Sequence, residues 1–252
     1  MRAIGKCTSK GGEKARCYAI CALLKRGHVR IFPLFCQNLI APTRGVSNAL
    51  QRDPLPMLVL ASTSRYRREL LSRLRLPFAT FAPEVDETPL PHEPPDHTAR
   101  RLAIAKAAAA VPAFPEGVII GSDQVAELES ERLGKPGSRE HARVQLLSAS
   151  GREIVFHTAV AVTQAATGQT LSAVVPTTVQ FRRIDASQID AYLDIEQPFD
   201  CAGSAKSEGF GIALLERITG DDPTALIGLP LITLTSLLSR FGIDVLANAA
   251  RR

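Results

Sequence analysis

An α/β fold is predicted by three observations. Val118-Ile119-Ile120 is a run of branched apolar residues that reads as a buried strand, and Gly121-Ser122-Asp123-Gln124 follows it at once. Met57-Leu58-Val59-Leu60-Ala61 is a second buried run; it leads through Ser62-Thr63-Ser64 into apolar residues at helical spacing, Leu70, Leu71 and Leu74. Further strand-like and helix-like stretches are interspersed down to a last helix at 231–241. In such folds ligands sit beyond the carboxyl ends of strands, which makes Asp123 the first candidate for chemistry. The competing reading of Asp123 is an ordinary turn hydrogen bond.

The chain divides by composition near residue 56. Residues 1–56 hold ten Lys/Arg against two acids, Glu13 and Asp53, whereas the other 196 residues hold 20 Lys/Arg against 23 acids. The basic excess thus lies wholly in the leader, and the body has no global basic face of the kind a duplex binder needs. Four of the five cysteines (Cys7, Cys17, Cys21, Cys36) are also in the leader, at spacings that fit neither a disulfide framework nor a paired zinc motif. The leader is expected to be a tail or an upstream extension ahead of Met57. A globular domain is expected over 57–246, with a tail at 247–252. No apolar run is long enough to span a membrane.

Taken in order, the elements place a set of charged groups beside turns. The hydroxyls of Ser62 and Ser64 stand at a helix N-terminus, a ready anion site. Arg67 and Arg68 in its first turn oppose the helix dipole, which a phosphate partner would explain; a solvated arginine face is the alternative. The helix is expected to run to Leu76, and a strand from Pro77 to Ala82. Glu84-Val85-Asp86-Glu87 follows; in an extended segment Glu84 and Asp86 point to one side and can hold a hard divalent cation, or simply be solvated. An alanine-rich helix over 98–111 carries Lys106 as the only charge from Leu102 onward. That lysine either reaches a ligand or snorkels to solvent.

The strand that holds Asp123 and Gln124 continues to Leu128 and turns near Glu129. Gly134-Lys135-Pro136 is a rigid turn that aims one lysine, without the upstream glycine of a Walker A loop. Ser138 caps a helix; 153–164 and 170–183 form a hairpin; Asp185 caps a further helix. Lys206-Ser207-Glu208-Gly209-Phe210-Gly211 is a polar loop whose glycines permit close backbone approach, and a strand is expected over 212–218. Cations for phosphates beside carboxylates for Mg²⁺ are the ingredients of metal-assisted phosphate hydrolysis. No H-E-x-x-H, G-x-S-x-G or G-x-G-x-x-G motif competes.

The ordered set Leu60-Ala61-Ser62-Thr63-Ser64-Arg65-Tyr66-Arg67-Arg68, Glu84-Val85-Asp86-Glu87, Lys106, Gly121-Ser122-Asp123-Gln124, Gly134-Lys135-Pro136, Ala202-Gly203, Lys206–Gly211 and Gly228-Leu229-Pro230 resembles the Maf family of nucleotide pyrophosphatases over about 57–246. The Ser-Asp-Gln triplet and the Lys-Ser-Glu-Gly-Phe-Gly loop look most like its YceF branch, the 7-methyl-GTP pyrophosphatases. The resemblance implies a Maf/inosine-triphosphatase-like fold, a mixed twisted sheet flanked by helices with a central nucleotide cleft. It implies cleavage of a modified nucleoside triphosphate between the α- and β-phosphates, a divalent cation (Mg²⁺ or Mn²⁺), a cytoplasmic location and often a homodimer.

By motif position Asp123 would be the proton acceptor, and Tyr66, Gln124 and Glu208 the specificity residues. Ser62, Ser64, Arg67, Arg68, Lys106, Lys135 and Lys206 would meet phosphates, and Glu84, Asp86 and Asp123 the metal. N7-methylguanine is cationic, so a ring and a carboxylate suit it. Where the family usually has Pro-x-Arg-Arg, with tryptophan at x in this branch, this chain has Arg65-Tyr66. The rival readings are a dTTP/UTP-type Maf pyrophosphatase, a nucleotide-binding regulator of cell division without turnover, and a nucleic-acid binder that uses the basic leader.

Overall fold

A computed structural model of the protein describes residues 55–249; the basic leader, apart from its last two residues, and the final three residues lie outside them. The elements in chain order are β1 (Leu58–Ala61), α1 (Arg65–Ser72), β2 (Phe78–Phe81), α2 (Pro95–Ala110), β3 (Val118–Leu128), β4 (Glu131–Leu133), α3 (Arg139–Ala149), β5 (Glu153–Gln164), β6 (Gln169–Phe181), α4 (Ala186–Glu196), β7 (Leu215–Gly220), α5 (Leu231–Arg240) and α6 (Val245–Ala249). They build a mixed α/β fold around a seven-stranded sheet of order β2-β1-β3-β5-β6-β7, with β4 paired to β3 as well. β1 runs parallel to β2 and β3, and the other pairings are antiparallel. Among the described residues no helix is long and apolar enough to cross a membrane.

Both faces of the sheet are covered, which is why its central strands read as unbroken apolar runs. Leu58, Leu60, Val118 and Ile120 point to one face and pack with Leu70, Leu71, Leu234 and Leu238. Their neighbours Val59, Ala61 and Ile119 point to the other face and pack with the alanines of α2. A third cluster, with Phe156, Phe181, Leu146, Ile189 and Leu193, fills the space under α3 and α4.

Gly121 lets α2 seat directly on β3. A Cβ at that position would lie 2.1 Å from the Ala103 carbonyl oxygen and 2.7 Å from the Ala107 nitrogen. The glycine thus makes neither a turn nor an approach to a ligand: the strand passes straight through it to Leu128, and its close neighbour is a helix.

Several elements differ from expectation for local reasons. α1 ends at Ser72 rather than Leu76, because Arg75 takes a left-handed conformation (φ 58°) ahead of Pro77. α2 begins at Pro95, since proline is well placed in a first turn. The strand expected over 212–218 is a 3₁₀ turn over Phe210–Leu214 followed by β7. Gly211 allows that winding: a Cβ there would lie 2.5 Å from the Lys206 carbonyl oxygen. α6 was not expected, and it overlaps the residues assigned to a tail.

Candidate active site

The cleft lies where the sheet is interrupted. β1 pairs with β3 only as far as Gly121, and β4 pairs with β3 only from Ala126 onward. Ser122–Val125 therefore have no strand on that side. A cavity of about 630 Å³ opens there, lined among others by Asp123, Gln124 and Val125. Successive residues of a strand face opposite sides, so Asp123 looks toward α2 and Gln124 toward the other half of the molecule.

The turn after β1 supplies the first wall. Ser64 caps α1, its hydroxyl accepting from the Arg67 amide at 3.4 Å. Ser62 Oγ accepts from the Ser64 amide at 3.1 Å and from Arg67 Nη1 at 3.5 Å. Arg67 Nε donates to the Gly228 carbonyl at 2.9 Å, which fixes the guanidinium across the cleft. Burial lowers the Arg67 pKa, against the opposing pull of Asp123 and Glu87, but a guanidinium stays charged at any physiological pH.

On the α2 side, Lys106 is buried at the apolar helix face seated by Gly121. Its Nζ lies 2.6 Å from Asp123 Oδ1 and 2.6 Å from Glu87 Oε1. Burial alone would raise the Glu87 pKa; the Lys106 ammonium outweighs it and holds the carboxyl below its usual value. Asp123 is itself buried, at 7% exposure.

On the opposite side, the Gln124 amide donates to Thr158 Oγ1 at 2.9 Å and reaches the carbonyls of Ala225 at 3.1 Å and Leu226 at 3.0 Å. Ser122 Oγ lies 2.9 Å from the Gly228 carbonyl, so two residues on one face of β3, Ser122 and Gln124, hold the 225–228 loop in place. Behind that loop Asp222 is buried and its carboxylate caps α5, accepting from the Ile232 amide at 2.8 Å and Thr233 at 3.2 Å. Tyr66 and Glu208 line this half, with Asp200 and Cys201. The Arg65 guanidinium stands 4.7 Å from the Tyr66 ring centroid. Burial pushes the Cys201 thiol up to about 12, with Asp200 adding to the effect, so it is no nucleophile at neutral pH.

The cleft thus gathers Ser62, Ser64, Tyr66, Arg67, Lys106, Asp123, Gln124, Lys135 and Glu208. Four expected site residues are not among its lining. Arg68 is exposed on the outer side of α1, and Glu84 and Asp86 are exposed, the latter accepting from the Thr88 amide at 2.9 Å. Lys206 is turned toward Glu196, at 3.6 Å, and Asp200, at 3.8 Å. Burial works against the Lys206 charge, but Tyr66, Cys201, Asp200 and Glu196 outweigh it and raise the pKa.

Several lining residues have no role in the sequence reading, among them the charged Glu87, Asp200 and Arg132. Glu87 belongs to the acidic run, whose extended reading favours Glu84 and Asp86. Asp200 and Arg132 had no local pattern to mark them. Of the cleft cations, Arg67, Arg132 and Lys135 have no carboxylate within 4.0 Å among the described residues.

Among the described residues no group of three or more His, Cys, Asp and Glu forms a metal cage. Mg²⁺ does not require one; it is commonly held by one or two carboxylates together with substrate phosphates and water. Asp123 and Glu87, meeting at one ammonium in the cleft, fit that donor set.

The chain matches the family described as Maf-like protein over residues 57–241. A 7-methyl-GTP pyrophosphatase of Thiobacillus denitrificans is 58% identical over 191 residues, which cover 76% of this chain and 95% of that protein. Proteins of the same name from Bordetella pertussis (56% over 193 residues, 77% of this chain and 96% of that protein) and Aromatoleum aromaticum (55% over 186 residues, 74% and 96%) are similar to it as well.

Proposed function

Since the chain belongs to the Maf family, we propose that its cleft hydrolyses 7-methyl-GTP to 7-methyl-GMP and pyrophosphate. The observation that carries this reading is the Asp123–Lys106–Glu87 group at the open edge of β3, in which Asp123 and Lys106 are buried and Glu87 closes the pair from the exposed side, beside cations that have no carboxylate within 4.0 Å among the described residues. A carboxylate there can take a proton from water, and the Lys106 ammonium at 2.6 Å fixes where that carboxylate stands.

In this reading Asp123 is the proton acceptor for the water that attacks the α-phosphorus. Arg67, Lys106 and Lys135, with the Ser62 and Ser64 turn, orient the phosphates and offset the charge that builds on them. Tyr66, Gln124 and Glu208 face the base; the ring and the carboxylate suit the positive charge of N7-methylguanine. The Gln124 amide donors are already engaged by the 225–228 loop, leaving its carbonyl oxygen for the base edge. Asp123 and Glu87 would hold Mg²⁺ or Mn²⁺, which when bound supplies charge neutralisation at the phosphates. The reading places the enzyme in the cytoplasm, acting on the nucleotide pool.

The test is pyrophosphate release by the purified chain from a panel of ordinary and methylated nucleoside triphosphates, with and without Mg²⁺ or Mn²⁺. The expected result is metal-dependent release with 7-methyl-GTP preferred. A protein that leaves every triphosphate of the panel intact overturns the reading, and a preference for dTTP or UTP reassigns the substrate.

A further inference from the structure

We propose that Arg132 grips the far phosphates of the substrate, and so holds pyrophosphate after cleavage. The proposal rests on the pyrophosphatase reading above. It begins with the two faces of β3. The base-facing groups Tyr66, Gln124 and Glu208 are on one side of the sheet edge, and Asp123, Lys106 and Glu87 are on the other. A nucleotide whose α-phosphorus is at Asp123 must therefore run its remaining phosphates along the α2 side.

That side is a strip with a cation at each end. Thr98, Leu102 and Lys106 recur every four residues, so they form one row on α2, about 12 Å from first to last. On the strand side, Arg132 of β4 sits opposite Glu127, four residues beyond Asp123, or about 13 Å along β3. Both measures put Arg132 at the end of the strip remote from Lys106, where the arginine side chain reaches back into the cleft.

The side chain is held there. One guanidinium nitrogen donates to the Glu93 carbonyl, just ahead of α2. Glu93 is itself fixed: its carboxylate accepts from Arg101 Nε at 2.7 Å, from Thr98 Oγ1 at 2.8 Å and from the Leu90 amide at 3.2 Å. Glu127, across the ladder, is engaged by His157 at 2.7 Å. No carboxylate among the described residues lies within 4.0 Å of Arg132, and the remaining donors of its planar fork match a phosphate.

The two products of the proposed reaction separate this role from a general one. In the full chain, inhibition constants are measured for pyrophosphate and for 7-methyl-GMP, in wild type, Arg132→Gln and Arg132→Lys. The expected result for Arg132→Gln is about tenfold weaker inhibition by pyrophosphate, the size of one charge-assisted contact, with 7-methyl-GMP inhibition unchanged. Arg132→Lys keeps the charge and should fall between. Unchanged pyrophosphate inhibition, or equal loss for both products, overturns the proposal. Wild-type pyrophosphate release is scored separately: if it is absent, the parent reading fails; if it is present and the product selectivity does not shift, only the role of Arg132 fails.

Discussion

Lys106 Nζ stands 2.6 Å from both Asp123 and Glu87, so one buried ammonium joins a carboxylate from β3 to one from the loop ahead of α2. If Asp123 is the proton acceptor, Asp123→Asn keeps the size of the side chain and removes its basicity. Turnover should then fall by about a hundredfold or more, with nucleotide binding retained. Steady-state pyrophosphate release and calorimetric titration of nucleotide check the two halves. A variant that turns over normally removes the general-base role.

All three acids of the run, Glu84, Asp86 and Glu87, are exposed, but Glu87 alone of them lines the cleft and pairs with Lys106. Glu87→Gln should raise the Mg²⁺ concentration needed for half-maximal rate by about tenfold or more, whereas Glu84→Gln and Asp86→Asn should leave it unchanged. Metal titrations of the three variants decide the ligand. A shift confined to Glu84→Gln would transfer the assignment.

Gly121→Ala tests how the site is seated. The added Cβ has no room against the Ala103 carbonyl, so α2 must shift away from β3. Overpacking of this kind costs about 1–3 kcal/mol. Chemical denaturation should show that loss. The rate should fall as well, because the shift draws Lys106 away from Asp123.

Asp222→Ala removes the buried carboxylate that caps α5 and leaves the Ile232 and Thr233 amides without their acceptor. A loss of about 1–3 kcal/mol is expected. The 225–228 loop follows Asp222 and contacts Arg67 and Gln124, so KM should rise too. Denaturation midpoints and kinetics on one preparation test both effects.

Cys201 offers a check on burial. Its thiol is raised from 9.0 to about 12, so the folded protein keeps the proton longer than the unfolded chain does. The stability this contributes is present in full below pH 9 and is lost as pH rises toward about 12. Iodoacetamide at pH 8, read out by peptide mass mapping, should leave Cys201 unmodified until denaturant is added.

Much of this architecture was legible in the sequence because local rules governed it. The β5–β6 hairpin, the Ser138 and Asp185 caps and the Ser64 turn each follow from neighbours within a few residues. Where an element depended on a distant partner, legibility stopped. The 212–218 stretch reads as a strand, yet Gly211 just ahead of it packs on the Lys206 backbone and the stretch begins inside a 3₁₀ turn. Alternation in an extended segment puts Glu84 and Asp86 on one side; which acid reaches the cleft depends on Lys106, about twenty residues downstream. Arg132 and Asp200 sit in unremarkable sequence and gain meaning only from the cleft around them.

The unpaired stretch of β3 has a consequence for how such an enzyme could diversify. Asp123 and Gln124 are bonded neighbours, but they serve opposite faces of one strand. On the proposed roles, exchanging side chains on the Gln124 half would retune which nucleobase is admitted, while the hydrolytic half is inherited intact. One short ribbon of backbone is thereby the hinge between two separately evolvable tasks, selection of a metabolite and its destruction.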